Sequence, residues 1–278
     1  MSLSYLTYDD LHRDVMALER RLPRDIVGVV GIPRSGMLPA SIIALHRNLP
    51  LASSCNLRWL HGGERCPPNT QRCGKLLVVD DSCYRGTAME RARLNLGAAT
   101  RSDLVFAAVY GHPDTPPGRQ PDFVGRIVPG PRYFAWNLFR HADLKDAMLD
   151  LDGVLCVDPP VSDSLDADAY AAWLPNAEPL NIPSVKVGAI CTNRLRGHRA
   201  ATEAWLAKHG VQYGELIMSP YDNPEKRERG PIHGWNKGEA YLASRCNLFV
   251  ESDDGQARVI RESANKPVIA LDTGRTYG

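Results

Sequence analysis

The sequence predicts an α/β protein of two domains, each built around a parallel sheet. Short apolar strands alternate with helices through both halves, the rhythm of strand–loop–helix units. At 278 residues the chain is about twice a common domain of roughly 100–200 residues, so two domains are expected. Several strands end in carboxylates or glycine-containing turns, where parallel sheets hold their ligands.

The elements follow in order. Thr7 to Leu22 carries Leu11, Val15, Leu18 and Leu22 at helical spacing, with Thr7 and Asp10 placed to cap its start. Ile26 to Val30 is a strand too apolar to face water on either side. It ends in Gly31-Ile32-Pro33-Arg34-Ser35-Gly36, and a helix runs from Met37 to Leu45. The pattern returns as strand Leu76 to Val79, the pair Asp80-Asp81, a polar turn to Gly86 and a helix from Ala88 to Leu96. Leu104 to Tyr110 is a third strand. The Pro- and Gly-rich stretch His112 to Pro121 reads as a surface loop, and Tyr133, Phe134, Trp136 and Phe139 form an aromatic segment after it.

A domain boundary is expected within Arg140 to Asp146, giving domains 1–142 and 143–278, because a fresh strand, Ala147 to Leu149, starts there and again ends in acids. Strand Val185 to Cys191, helix His198 to His209, strand Glu215 to Met218 and helix Lys237 to Ser244 follow. Strand Asn247 to Val250, helix Gln256 to Ala264 and a last strand, Pro267 to Leu271, close the chain. No repeat at solenoid periods and no low-complexity tail is present.

Composition narrows the partners. Hydrophobic residues at 44% and charged ones at 23% fit a soluble globular chain rather than a disordered or fibrous one. A net charge of +1 lacks the basic footprint of a nucleic-acid binder. No apolar run approaches the ~20 residues that span a bilayer, and the start MSLSYLTYDD lacks a signal-peptide layout, so a cytoplasmic protein with no membrane partner is expected. Seven scattered cysteines argue against a disulfide framework, and Cys66 and Cys73 have neither a second pair nor a histidine at zinc-ligand spacing.

The first chemistry-bearing segment is Leu77-Val78-Val79-Asp80-Asp81-Ser82-Cys83-Tyr84-Arg85-Gly86-Thr87. A hydroxyl- and Gly-containing turn opening a helix points backbone N–H groups into one concavity, and the helix N-terminus adds positive charge. Two acids beside that cradle suit sugar hydroxyls and Mg²⁺, so the site reads as one for a phosphorylated sugar. The segment resembles the phosphoribosyl diphosphate (PRPP) signature of type I phosphoribosyltransferases, and Gly31 to Gly36 resembles that family's pyrophosphate loop. The resemblance implies that Asp80 and Asp81 contact the ribose hydroxyls and that Ser82 to Thr87, with Arg85 and Gly86, hold the 5′-phosphate. It also implies that Arg34, Ser35 and Gly36 hold the pyrophosphate. The loop departs from the family, which has Thr before the glycine and Thr two places after it; here Arg85 precedes Gly86, and Thr87-Ala88 follow. Tyr133, Phe134 and Trp136 are candidates to stack on a planar base, worth about 1–3 kcal/mol per base, or simply to pack between domains.

The second segment, Met148-Leu149-Asp150-Leu151-Asp152-Gly153, is an apolar strand ending in two acids that can reach one site. One acid can attack phosphorus while the other handles the leaving group's proton, with Mg²⁺ countering the repulsion between anions. The motif resembles the first motif of haloacid dehalogenase-like (HAD) phosphatases. That resemblance implies a Rossmannoid fold, Asp150 as nucleophile and Asp152 as general acid/base. It further implies Thr192 bonding the phosphoryl group and Lys237, opening a helix, neutralising charge. The acids after Phe249-Val250 complete a Mg²⁺ shell of Asp150, Asp152, Asp253 and Glu251, with Asp253 preferred over Glu251 and Asp254 for the last place. Lys226 and Arg227 are weaker candidates for the lysine and read as a solvated face. About 40 residues between Asp152 and Thr192 leave room for only a minimal cap.

Together the resemblances imply a bifunctional enzyme. PRPP and a base-like acceptor would give a ribosyl 5′-phosphate, and hydrolysis of that phosphate would pull the reversible transfer forward. One alternative is a phosphatase whose first domain only senses PRPP or a nucleotide; another is a scaffold with two relic sites. Small-molecule substrates are the expected partners, and a homodimer stays open.

Overall fold

The computed structural model describes residues 3–60, 74–162, 164–221, 223–224 and 233–278. Cys66, Cys73, Lys226 and Arg227 lie outside the described residues. The chain forms two compact units, one of Leu6–Arg132 and one of Tyr133–Gly278 joined by the residues up to Tyr5. Tyr133, Leu138 and Leu144 fall in the second unit because they belong to its apolar core, with Leu149 and Trp205.

A short strand, β1 (Ser4–Leu6), opens the chain, and α1 (Tyr8–Glu19) follows it. The expected cap is present: the Asp10 amide donates to Thr7 Oγ1 at 3.1 Å and the Thr7 amide to Asp10 Oδ2 at 3.0 Å. The helix stops at Glu19 rather than Leu22, where Arg47 gathers its end. Arg47 donates to the Glu19 carbonyl at 2.9 Å, the Pro23 carbonyl at 2.7 Å and Glu19 Oε1 at 2.6 Å.

The first sheet comprises β2 (Ile26–Gly31), β3 (Leu51–Ser53), β4 (Asn56–Leu60), β5 (Lys75–Ser82), β6 (Leu104–Gly111) and β7 (Phe123–Ile127). Its order is β4-β3-β2-β5-β6-β7, parallel except for the edge pair β3–β4. Helices α2 (Met37–Arg47) and α3 (Thr87–Asn95) follow β2 and β5. Val30, Val78 and Phe106 sit side by side in register across β2, β5 and β6, all buried, as their continuous apolar runs require. Phe106→Ala should lower the stability of this unit by about 3–5 kcal/mol, read by urea unfolding, since the ring is buried in the cluster with Val30, Val78 and Met89 and its removal leaves a cavity.

In the second unit β8 (Arg132–Phe134) pairs with β1. The main sheet uses β9 (Ala147–Leu149), β10 (Val187–Leu195), β11 (Tyr213–Ser219), β12 (Leu248–Glu251), β13 (Val268–Ala270) and β14 (Thr276–Tyr277), in the order β11-β10-β9-β12-β13-β14. Only β13–β14 is antiparallel, so Pro267 to Leu271 is not the last strand. The helices are α4 (Ala167–Trp173), α5 (Arg199–Lys208), α6 (His233–Ala243) and α7 (Asp254–Ala264). Lys237 therefore lies a turn inside α6 instead of opening it. Leu149, Ile190, Trp205 and Val250 fill one core cluster, and Met148, Tyr241, Phe249 and Ile260 fill another. Lys266 secures the end of α6, donating to the carbonyls of Tyr241, Ser244 and Cys246 at 2.8, 2.8 and 3.1 Å.

Candidate functional site

Two loops leave neighbouring strands of the first sheet at the same end. In the parallel register of β2 and β5, Gly31 faces Val79, and the Ile32 amide donates to the Val79 carbonyl at 3.0 Å. The approach is so close that only glycine fits at position 36. A Cβ there would lie 2.5 Å from Ile32 O, 2.7 Å from Asp80 Oδ1 and 2.8 Å from Val79 O. Gly36 starts α2 without a side-chain cap. The Met37 and Leu38 amides donate to the carbonyls of Arg34 and Ser35 at 3.1 and 3.0 Å, and Pro39 has no N–H, so the turn closes its own first amides. Arg34 is exposed beside it and Ser35 half-buried.

Asp80 and Asp81 are both buried. Asp80 Oδ1 accepts the Asp81 amide at 2.9 Å, and Asp81 Oδ1 accepts the Ser82 amide at 2.8 Å. Burial first, and then the neighbouring Asp81, hold the Asp80 carboxyl well above the usual carboxylate range. Beyond the pair, Ser82, Arg85, Gly86 and Thr87 line a cavity of about 290 Å³ that also reaches Asp80 and Tyr84. Gly86 turns the chain with φ of 71° into α3, which again lacks a side-chain cap.

The stretch His112 to Pro121 is more than a surface loop. Thr115 is buried and its Oγ1 donates to the Cys83 carbonyl at 3.3 Å; Arg119 pairs with Glu90 at 3.0 Å. A Cβ on Gly86 would sit 2.5 Å from Arg119 Cβ and 2.9 Å from its carbonyl oxygen. The segment thus braces the Ser82–Thr87 turn. The base-stacking candidates are corrected as well. Tyr133 and Phe134 are buried in the second unit, Tyr133 donating to Asp143 at 3.1 Å and Phe134 stacking on Trp136 at 4.9 Å, so neither offers a free face. The exposed ring at the first cavity is Tyr84, which packs against His112 with centroids 4.3 Å apart.

In the second unit, parallel pairing of β9 with β10 and β12 carries three chain segments to one sheet end. Asp150, Asp152, Thr192 and Lys237 line one cavity of about 200 Å³, with Asp158 and Arg194. Lys237 Nζ lies 2.8 Å from Asp150 Oδ2, 2.7 Å from Glu251 Oε2 and 3.1 Å from Gln256 Oε1, which uses its three protons. Burial opposes the lysine charge, yet Asp150 and Glu251 more than offset it and raise its pKa. Two carboxylates on one ammonium leave a surplus negative charge, so burial and Glu251 push the Asp150 carboxyl up against the pull of Lys237.

Thr192 Oγ1 accepts the Arg194 amide at 3.2 Å, and its own O–H remains to donate. Glu251 is fully buried; its Oε1 accepts the Ser252 amide at 3.0 Å while Lys237 takes Oε2. Asp253 caps α7, accepting the Gln256 amide at 2.7 Å, and does not line the cavity. Among the described residues no three His, Cys, Asp or Glu side chains form a ready-made metal cage.

Three residues here were not singled out from the sequence. Arg194 ends β10 two places after Thr192, and a charge inside an apolar strand was its only signal. Asp158 lies in the loop after Asp152, its carboxyl raised by burial and then by Asp152. Gln256 on α7 gave no signal in sequence.

No family model matches the chain. A xanthine-guanine phosphoribosyltransferase of Chromohalobacter salexigens is 34% identical over 118 residues, 40% of this chain and 70% of the relative. Another xanthine-guanine phosphoribosyltransferase, from Cereibacter sphaeroides, is 28% identical over 130 residues, 41% of this chain and 74% of that protein. Among solved structures, a purine phosphoribosyltransferase from Pyrococcus horikoshii aligns with 49% of this chain and 94% of its own, at 20% identity and a TM-score of 0.38. No helix among the described residues is long and apolar enough to cross a membrane.

Proposed function

Because the chain belongs to the phosphoribosyltransferase family through its N-terminal half, we propose that its first unit transfers phosphoribosyl from PRPP to a base or related acceptor. The second unit then hydrolyses the ribosyl 5′-phosphate as a HAD-like phosphatase. The observation that carries the transfer is the close approach of the Gly36 backbone to Asp80, which brings the Arg34–Gly36 loop against a buried acid pair. Asp80 and Asp81 bind the ribose hydroxyls and their Mg²⁺, Ser82 to Thr87 the 5′-phosphate, and Arg34 to Gly36 the pyrophosphate. Xanthine and guanine, named for the two relatives, are the first acceptors to try.

The phosphatase reading rests on Asp150, Asp152, Thr192 and Lys237 meeting in one cavity. An Asp150 oxygen attacks phosphorus, the P–O ester bond breaks, and its electron pair leaves with the ester oxygen, which takes a proton from Asp152. Water then attacks the aspartyl-phosphate and returns a proton to Asp152, freeing phosphate and the Asp150 carboxylate. Thr192 donates to a phosphoryl oxygen, and Lys237 offsets charge on Asp150. Two buried carboxyl groups, Asp150 and Glu251, facing one ammonium fit a divalent cation, and Mg²⁺ is content with one or two carboxylates plus substrate phosphate. Asp150 would hold it through the oxygen that Lys237 leaves, since Lys237 and the Ser252 amide occupy Glu251 and Arg194 engages Asp152. When bound, Mg²⁺ lowers the repulsion between nucleophile and phosphate.

The paired test follows pyrophosphate and inorganic phosphate separately, with PRPP, Mg²⁺ and a panel of bases, against a base-free blank. The expected result is base-dependent pyrophosphate release followed by phosphate. A second reading, a phosphatase with a PRPP-sensing first unit, is favoured by Arg85 before Gly86. It predicts PRPP binding and nucleotide dephosphorylation with no pyrophosphate released by any base.

A further inference from the structure

The guanidinium of Arg194 has no solvent exposure and makes its main contacts with one partner. Nε lies 3.1 Å from Asp152 Oδ2 and 3.2 Å from Oδ1, and Nη2 lies 2.5 Å from Oδ1. Its remaining donors go to Thr202 Oγ1 at 3.4 Å and Cys156 Sγ at 3.4 Å, and the Trp173 ring covers it at 5.2 Å. The backbone of its partner is equally constrained. Asp152 bridges to Cys156, and Gly153, with φ of 75°, donates its amide to the Cys156 carbonyl at 2.7 Å. Burying so polar a fork is costly unless its donors are matched, and here Asp152 takes two of the five N–H groups while Thr202 and Cys156 take one each.

The two oxygens of Asp152 are not equivalent. Oδ1 receives Nη2, Nε and the Cys156 thiol, whereas Oδ2 receives Nε alone among the described residues. A carboxylate oxygen has two lone-pair sites, so Oδ2 keeps one for a reacting proton. We propose that Arg194 is the positioning residue that locks the Asp152 carboxylate so that Oδ2 carries the proton to the leaving oxygen and takes it back from water. The inference rests on the phosphatase reading above. The proton returned by water in the second step is the one delivered to the next substrate, so the cycle balances.

A positioning role leaves a signature that a purely structural one does not. An alkyl phosphate needs its leaving oxygen protonated, whereas p-nitrophenolate departs without a proton. Arg194→Gln and Arg194→Lys should lower kcat/KM for a ribosyl 5′-phosphate by roughly 100-fold, the lower end of a general acid's contribution. That ratio reads the steps up to leaving-group departure and not the later hydrolysis common to both substrates. On p-nitrophenyl phosphate the loss should stay within about 5-fold in the same variants, because the acid contributes little there. Asp152→Asn should show the same leaving-group split, and adding Arg194→Gln to it should cost little more. The lysine variant keeps the buried charge and guards against misfolding of the glutamine one.

Equal losses in kcat/KM on both substrates, or full additivity with Asp152→Asn, would overturn the positioning role while the phosphatase stands. Wild-type enzyme that releases phosphate from neither substrate overturns the phosphatase reading and this inference with it.

Discussion

Asp150→Asn should reduce phosphate release from a ribosyl 5′-phosphate by roughly 10³-fold or more while leaving pyrophosphate release from PRPP within about twofold. The carboxylate is the attacking group, and an amide oxygen in its place is a poor nucleophile. The substitution is nearly isosteric and keeps an acceptor near Lys237, which lies 2.8 Å from Asp150 Oδ2. It also removes one of two carboxylates competing for a single ammonium, so folding should not suffer. The measurement is phosphate release by the purified full chain, with thermal unfolding alongside. A variant with wild-type turnover would remove Asp150 from the chemistry and restore the relic-site reading.

Gly36→Ala should produce the complementary phenotype, loss of pyrophosphate release by roughly 100-fold with phosphatase turnover intact. The added methyl meets two backbone carbonyls and the Asp80 carboxylate, at 2.5 to 2.8 Å, and none of these is a flexible side-chain end. The loop must therefore move away from the acid pair, and a shift near 1 Å is enough to misalign bound PRPP. Gly118→Ala is the control, because a Cβ at that position meets nothing within 4 Å. Titration calorimetry with PRPP separates lost binding from lost chemistry. Unchanged pyrophosphate release in Gly36→Ala would show that the loop does not hold the pyrophosphate.

The main sheets were legible because their central strands are buried on both faces and so read as unbroken apolar runs. Val78-Val79 and Met148-Leu149 announce themselves, and the acids that follow mark the strand ends. The short outer strands were not legible. Leu51–Ser53 and Phe123–Ile127 are half-covered and short, with no run or alternation long enough to stand out. At the sites, residues close in sequence were visible and those joined only by the fold were not. Arg194 lies 42 residues from Asp152, and Thr115 lies 32 from Cys83; nothing local marks either pairing. The aromatic segment left stacking and packing both open for a related reason. Its rings carry the same composition whether they face a ligand or fill a core, and Tyr133 fills a core.

Arg47 and Lys266 each gather the carbonyls at a helix end near the start of a sheet strand, while the candidate ligand groups sit beyond the strands' far ends. Within each unit, resilience and chemistry therefore occupy opposite poles. Changes tolerated at one pole need not be felt at the other, so drift in an acceptor-binding loop can be offset by reinforcing a helix end without retuning catalysis. The same polarity makes these helix ends the natural attachment points for tags or surface tethers, since a load applied there is borne by backbone clamps rather than by the groups that handle phosphate.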